Sequence, residues 1–186
     1  MTVENRKKYI RILRDNGFNC FPINPKSEKQ ADSKYEGAAT KTDQEILDSE
    51  NYGYMAQAGK GNSIIDFDSK IYESQLLEIA KKYMVIKTGQ GFHLPVIGLT
   101  DDMQKVELFD YSKQDKKIIE IQGIKHYVMG IGSDIYHLKL EKNVEYVNIG
   151  TDLIFNRECN SETLIDQVCS KFNVQGKKKT DNQNYL

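Results

Sequence analysis

Gly59-Lys60-Gly61-Asn62-Ser63-Ile64-Ile65-Asp66-Phe67-Asp68-Ser69 is the stretch on which the reading of this chain turns. It reads as a glycine-bounded turn, a short apolar strand, and two carboxylates separated by one aromatic residue. Side chains at i and i+2 of a strand share a face, with Cβ atoms about 6.6 Å apart. Asp66 and Asp68 can therefore serve one divalent ion or an ion pair, while Phe67 turns the other way into a core. A hard cation such as Mg²⁺ takes oxygen ligands, using one or two carboxylates together with substrate phosphates. An Asp-x-Asp match on its own equally fits aspartates where a strand runs out into a turn. The rest of the chain has to choose between the two.

Upstream, Val3, Tyr9, Ile10 and Leu13 recur at helical spacing and Asn16-Gly17 supplies a stop, which predicts an amphipathic first helix. Residues 18–23 read as a strand that Pro22 pushes toward a sheet edge. A polar loop over 24–39 follows, its Lys26, Lys29 and Lys34 read as solvated cations, with a phosphate partner as the open alternative. Thr42-Asp43-Gln44-Glu45 is a capping box and predicts a short helix to about Ser49. The apolar runs 52–58 and 62–67, separated by Gly59-Lys60-Gly61, predict a β-hairpin.

Downstream, Ile71, Leu76, Leu77, Ala80 and Tyr83 predict a second amphipathic helix, and residues 84–87 a strand. Lys87-Thr88-Gly89-Gln90-Gly91-Phe92-His93 comes next. Its glycines either let backbone N–H groups approach an anion such as a triphosphate, or form a plain hairpin turn beside an incidental histidine. Residues 106–109 and 117–122 are strand-like around a polar tip. Glu120 sits inside an otherwise apolar run, Lys117-Ile118-Ile119-Glu120-Ile121-Gln122, and a carboxylate leaving water needs a cation or hydrogen bonds. Residues 126–129, 135–140 and 144–149 continue the strands. Leu164, Ile165, Val168 and Phe172 mark a last helix capped by Asn160 or Ser161. Residues 175–186, with Lys177, Lys178 and Lys179, have no apolar period and read as a basic polar tail or linker start, solvated or, as the lesser alternative, in contact with nucleic acid.

Composition narrows the class. A chain of 186 residues with 39% hydrophobic and 28% charged residues is that of an ordinary globular protein of one domain or two small lobes. No apolar run approaches the roughly 18 residues of a membrane span, and residues 1–14 carry no signal-peptide core. The expected setting is cytoplasmic, without a membrane partner. Cys20, Cys159 and Cys169 show no CxxC pair, so neither a disulfide framework nor a zinc site is expected. A net charge of −1 argues against a DNA-coating protein but leaves room for a local basic cleft.

Three elements thus stand in order: an apolar strand ending in Asp66-Phe67-Asp68, Gly91-Phe92-His93 before an apolar strand, and Ile118-Ile119-Glu120. This order resembles the archaeo-eukaryotic primase superfamily, and within it the primase-polymerase domains of archaeal plasmid and phage replication proteins. The likeness runs from about Ile10 to Tyr146 and includes Tyr127-Val128-Met129-Gly130-Ile131-Gly132-Ser133, where the family more often has a proline. The resemblance implies an α/β (α+β) fold, with a small N-terminal lobe over 1–58 and an RRM-like catalytic sheet over 59–174, together the catalytic domain. It implies template-dependent nucleotidyl transfer by a DNA primase or polymerase, with Asp66, Asp68 and Glu120 holding two Mg²⁺ or Mn²⁺ ions. His93 would contact the nucleotide phosphates, with Lys87, Thr88, Gly89 and Gly91 as further members of the cradle. The implied partners are single-stranded DNA template and primer, an NTP or dNTP, and a helicase domain or subunit. Two other readings stay open: a metal-dependent Asp-x-Asp glycosyltransferase, and a non-catalytic nucleic-acid-binding module on an RRM-like sheet.

Overall fold

The computed structural model describes residues 1–23, 41–110, 116–137 and 140–176. It is a mixed α+β structure in which most strands pair antiparallel. Its centre is β3 (Asn62–Phe67), with β5 (Phe92–Leu99) antiparallel on one side and β7 (Lys116–Gln122) antiparallel on the other. Beyond β5 come β4 (Ile86–Lys87) and β11 (Val147–Asn148); beyond β7 come β6 (Val106–Asp110) and β13 (Gln175–Gly176). β12 (Phe155–Cys159) runs parallel to the second half of β5.

The apolar residues of β3 alternate between two cores, so the strand is covered on both faces. Ile65 and Phe67 enter the core beneath α3 (Glu73–Ala80) and α4 (Ser161–Phe172). Asn160 caps α4 by accepting the Thr163 N–H at 2.8 Å, and Asn173 ends it in the left-handed region at φ 52°. Leu164, Val168 and Phe172 recur every fourth residue, so one stripe of α4 is buried. The Phe172 ring meets Phe67 edge-on, centroids 4.8 Å apart. Phe67 is fully buried, which contributes about 2–3 kcal/mol.

Ile64, on the opposite face, joins the second core with Ile86, Tyr54 and Tyr146. That core also takes Ile10 and Leu13 of α1 (Val3–Asp15) and Ile46 of α2 (Asp43–Asp48). The capping box of α2 forms as expected between Thr42 and Glu45. Over these helices lies a three-stranded sheet of β1 (Asn19–Ile23), β2 (Asn51–Met55) and β8 (Tyr127–Met129). β1 is an edge strand, so Pro22 sits where a missing N–H is tolerated.

The hairpin expected between residues 52–58 and 62–67 does not form. β2 pairs with β1 and β8, β3 pairs with β5 and β7, and Gly59-Lys60-Gly61 hands the chain from the small sheet to the large one. Two runs buried on both faces carry no alternation that would select each other as partners. Gly59 and Gly61 do take positive φ, 72° and 58°. A Cβ on Gly61 would stand 2.1 Å from the Leu99 carbonyl oxygen, so the crossing requires glycine.

Three further boundaries differ. The small sheet takes its third strand from β8, so the lobe expected within 1–58 also draws on residues 127–129. Residues 135–149 divide into β9 (Asp134–His137), β10 (Lys142–Glu145) and β11, the first two forming a separate hairpin. Gln175 and Gly176, expected to open the tail, instead pair with Phe109 and Leu108, because backbone pairing needs no apolar side chain. The 24–39 loop lysines and Lys177–Lys179 lie outside the described residues. Among the described residues, no helix is long and apolar enough to cross a membrane. Cys20 and Cys159 are free thiols, and burial pushes Cys20 up to about 12.

Candidate functional site

The three sequence motifs arrive on three adjacent strands in one row. Asp66 of β3 is the direct cross-strand neighbour of His93 on β5 and of Glu120 on β7. Direct partners in an antiparallel ladder share a face. The row continues outward to Ile86 of β4 beyond His93, and to Glu107 of β6 beyond Glu120. It lies on the face of the large sheet that looks toward the small lobe, since Ile64 and Ile86 on that face join the second core.

His93 is buried, its side chain 6% exposed, with Nε2 3.5 Å from the Asp66 carboxylate. Its ring packs against Tyr146 at 5.7 Å between centroids. Burial pushes the Tyr146 phenol up to about 12, with the Asp66 charge adding to the shift. Tyr54 is buried beside the same carboxylate, its phenol raised first by burial and further by Tyr52 and Asp66. An aromatic wall thus closes one side of the histidine and aspartate pair.

Asp68 lies one residue past the end of β3, its backbone N–H donating to the Ile118 carbonyl at 3.0 Å. Its carboxyl is raised above the ordinary value, by burial first and then by Asp66, with Glu120 adding to the shift. Lys117, 3.9 Å away, offsets only part of this. Asp68 is therefore close enough to Asp66 and Glu120 to be repelled by both.

Glu120 is held on both oxygens. Lys105 and Lys117 each place Nζ 2.8 Å from Oε1, and the Gln122 amide donates to Oε2 at 3.0 Å. Burial would push Glu120 up, but the two ammonium groups outweigh it and hold the carboxyl at about 2. Lys117 in turn sits above its ordinary range. Burial works against its charge, and the hydrogen bond to Glu120 with the charges of Glu120, Asp68 and Glu107 overcomes it.

A β-bulge makes this possible. Leu108 faces Ile119 and Phe109 faces Lys117, so Ile118 is an extra residue in β7. In a regular strand, residues three apart point to opposite faces. The bulge drops Ile118 into the helix-side core and turns Lys117 onto the face of Glu120.

The remaining cradle residues divide. Lys87 faces Phe92 and, beyond it, Phe67, which puts it on the helix side of the sheet, away from His93. There it pairs with Glu73 at 3.3 Å. Thr88 and Gly91 close the hairpin turn between β4 and β5, Gly89 lying within it, with Thr88 N–H donating to the Gly91 carbonyl at 2.9 Å and Gly91 N–H to Thr88 Oγ1 at 3.0 Å. That turn lies beside the acidic strand end: a Cβ on Gly91 would stand 1.6 Å from the Phe67 carbonyl oxygen and 3.2 Å from Ser69 N. The requirement for glycine at 91 thus comes from its approach to β3.

The sequence pattern does not mark Lys105, Glu107 or Tyr146, and it marks Lys117 only as the start of a strand. The one signal for Lys117 was its place three residues before a carboxylate in an apolar run, which reads as opposite faces until the bulge is known.

Oxygen donors that crowd each other suit a hard divalent cation, which lowers their repulsion and is served by as few as two carboxylates. Asp66 and Asp68 fit that chemistry. Among the described residues no three His, Cys, Asp or Glu groups stand together as a ready metal cage, and Glu120, the third carboxylate, is bound by lysines instead. Neither a family model nor a curated protein matches this chain.

Proposed function

We propose that this protein is a template-dependent nucleotidyltransferase, a DNA primase or polymerase of a replication system, with an RRM-like sheet as its catalytic platform. The observation that carries the reading is the row His93, Asp66, Glu120 on adjacent strands, with Asp68 one step past Asp66. Residues separated by up to 54 positions in the chain meet on three adjacent strands, and their motifs are those on which the resemblance to the archaeo-eukaryotic primases rests. A glycosyltransferase needs only the aspartate pair and gives no reason for this row.

Asp66 and Asp68 would hold the cation with the substrate phosphates, and Glu120 would complete a two-ion set of Mg²⁺ or Mn²⁺. Such ions, when bound, activate an attacking hydroxyl and neutralise charge on the leaving pyrophosphate. The protein's own part is positional. His93 is fixed by Asp66 and Tyr146, so that an imidazole N–H is available to a phosphate oxygen in place of the aspartate. The Thr88–Gly91 turn sits at the end of the acidic strand, where a polyphosphate would lie.

The test is incorporation of labelled nucleotides on a single-stranded template, with and without primer, in Mg²⁺ and Mn²⁺, beside Asp66→Asn. Metal-dependent product that the variant lacks supports the proposal, and the unprimed lane reports initiation. No product from folded protein in either metal overturns it.

A further inference from the structure

Two ammonium groups on one carboxylate oxygen are more than that oxygen needs. A single lysine neutralises a glutamate, yet Lys105 from the segment before β6 and Lys117 from β7 both stand 2.8 Å from Glu120 Oε1. Both lysine side chains keep about a third of their surface in water, 32% and 36%, whereas Glu120 keeps 9%. They can withdraw to solvent at small cost, and the carboxylate cannot. Lys117 also reaches toward Asp68 at 3.9 Å, so it bridges two of the three acidic groups. The bulge at Ile118 is what aims it there.

We infer that Lys105 and Lys117 are resident counter-ions of the acidic site, which occupy Glu120 in the metal-free protein and are displaced from it when a divalent cation binds. The inference rests on the nucleotidyltransferase reading of Asp66, Asp68 and Glu120. The exchange is charge-balanced and breaks no covalent bond: two monovalent cations leave Glu120 and one divalent cation takes its place. The released ammonium groups then flank the site with positive charge, where they meet a polyphosphate. Metal affinity without nucleotide is therefore weak, because each cation must evict the lysines. With nucleotide it strengthens, because the lysines gain a new anionic partner. Lys105 and Lys117 are positioning residues for the cation in the first state and nucleotide ligands in the second.

The experiment measures Mn²⁺ binding to the whole chain by the loss of the free-ion electron paramagnetic resonance signal, with melting in EDTA and in Mn²⁺ alongside. The proteins are wild type, Lys105→Gln/Lys117→Gln, each single glutamine variant, Lys105→Arg/Lys117→Arg, and Asp66→Asn as the site control. The double glutamine variant is expected to bind Mn²⁺ about tenfold more tightly than wild type, and each single variant about threefold. The arginine pair keeps the charge and is expected to show no gain. The double glutamine variant melts lower than wild type in EDTA, and Mn²⁺ raises its melting temperature by more. The single variants carry the test if the double variant does not fold. Wild-type binding lost in Asp66→Asn but unchanged or weakened by the glutamine substitutions overturns the counter-ion role alone. Absence of Mn²⁺ binding in wild type and glutamine variants alike overturns the metal site and this inference with it.

Discussion

Lys117 and Glu120 lie three residues apart in one β-strand and still meet at 2.8 Å, because the extra residue Ile118 reverses the alternation between them. The same bulge carbonyl receives the Asp68 N–H, so one local irregularity fixes both the end of the acidic strand and the cation on its neighbour. Bulges are enriched where a strand must re-aim a side chain. Here the re-aimed group is a positive charge placed among carboxylates, and the consequences can be measured.

The first is acid sensitivity. Glu120 is held at about 2 against an ordinary 4.5, so its ion pairs stabilise the fold fully above pH 4.5, and that stability is lost as the pH falls toward 2. The amount is at most about 3 kcal/mol. Glu120→Gln should flatten this part of the stability curve, measured by urea unfolding at stepped pH in EDTA. At pH 7 the variant should lose about 1–2 kcal/mol, less than a fully buried pair would, because both lysines can return to water. An unchanged acid limb would mean that the lysines do not hold Glu120 in solution.

Asp68 has the opposite sign. Its carboxyl is raised by burial and by Asp66, so its charge opposes folding as the pH rises above the ordinary aspartate range. Asp68→Asn should leave the EDTA melting temperature at pH 7 equal or higher, while lowering nucleotide incorporation by at least about 10²-fold. Charge repulsion at this position is then a cost kept for ligand binding. A variant that melts lower and still incorporates nucleotide would contradict that account.

Much of this site was legible before the fold was known, and the reasons are local. Asp66 and Asp68 end an apolar strand, His93 opens another, and Glu120 interrupts a third, so each motif announces its strand. Their meeting on one sheet was expected only from resemblance, and the single row was not expected at all, since register depends on which strands pair. The wrong hairpin across Gly59-Lys60-Gly61 shows why: β2 and β3 are both buried on two faces, and nothing in either run names its partner. β12 escaped notice for the converse reason, since its Asn156, Arg157 and Glu158 are exposed and give no apolar signal. Lys117 was hidden by a bulge, whose position follows from pairing with β6 rather than from the residues of β7 themselves.

His93 tests the separation of binding from chemistry. His93→Gln retains a side-chain N–H donor, whereas His93→Ala leaves Asp66 and Tyr146 facing a cavity. The alanine variant should lose about 1–3 kcal/mol of stability through the buried ring and raise the apparent KM for nucleotide about tenfold or more. The glutamine variant should recover most of the stability and part of the KM. A kcat effect with unchanged KM in both would assign His93 to the chemical step instead of the phosphates.

Gly91 gives the final prediction, since its effect on the site must pass through the backbone. A methyl group there would overlap the Phe67 carbonyl, which is main chain and cannot rotate aside. Gly91→Ala should therefore push the start of β5 away from the end of β3, costing about 1–3 kcal/mol of stability. The separation opens where His93 faces Asp66, and Asp68 follows two residues later. Mn²⁺ binding and nucleotide incorporation should fall together in this variant, although Gly91 offers no side chain to either ligand. Were Gly91 to act only by letting its N–H approach a phosphate, alanine would keep that N–H, and both metal binding and stability would stay at wild-type levels. The melting curve in EDTA, with no ligand present, separates the two cases.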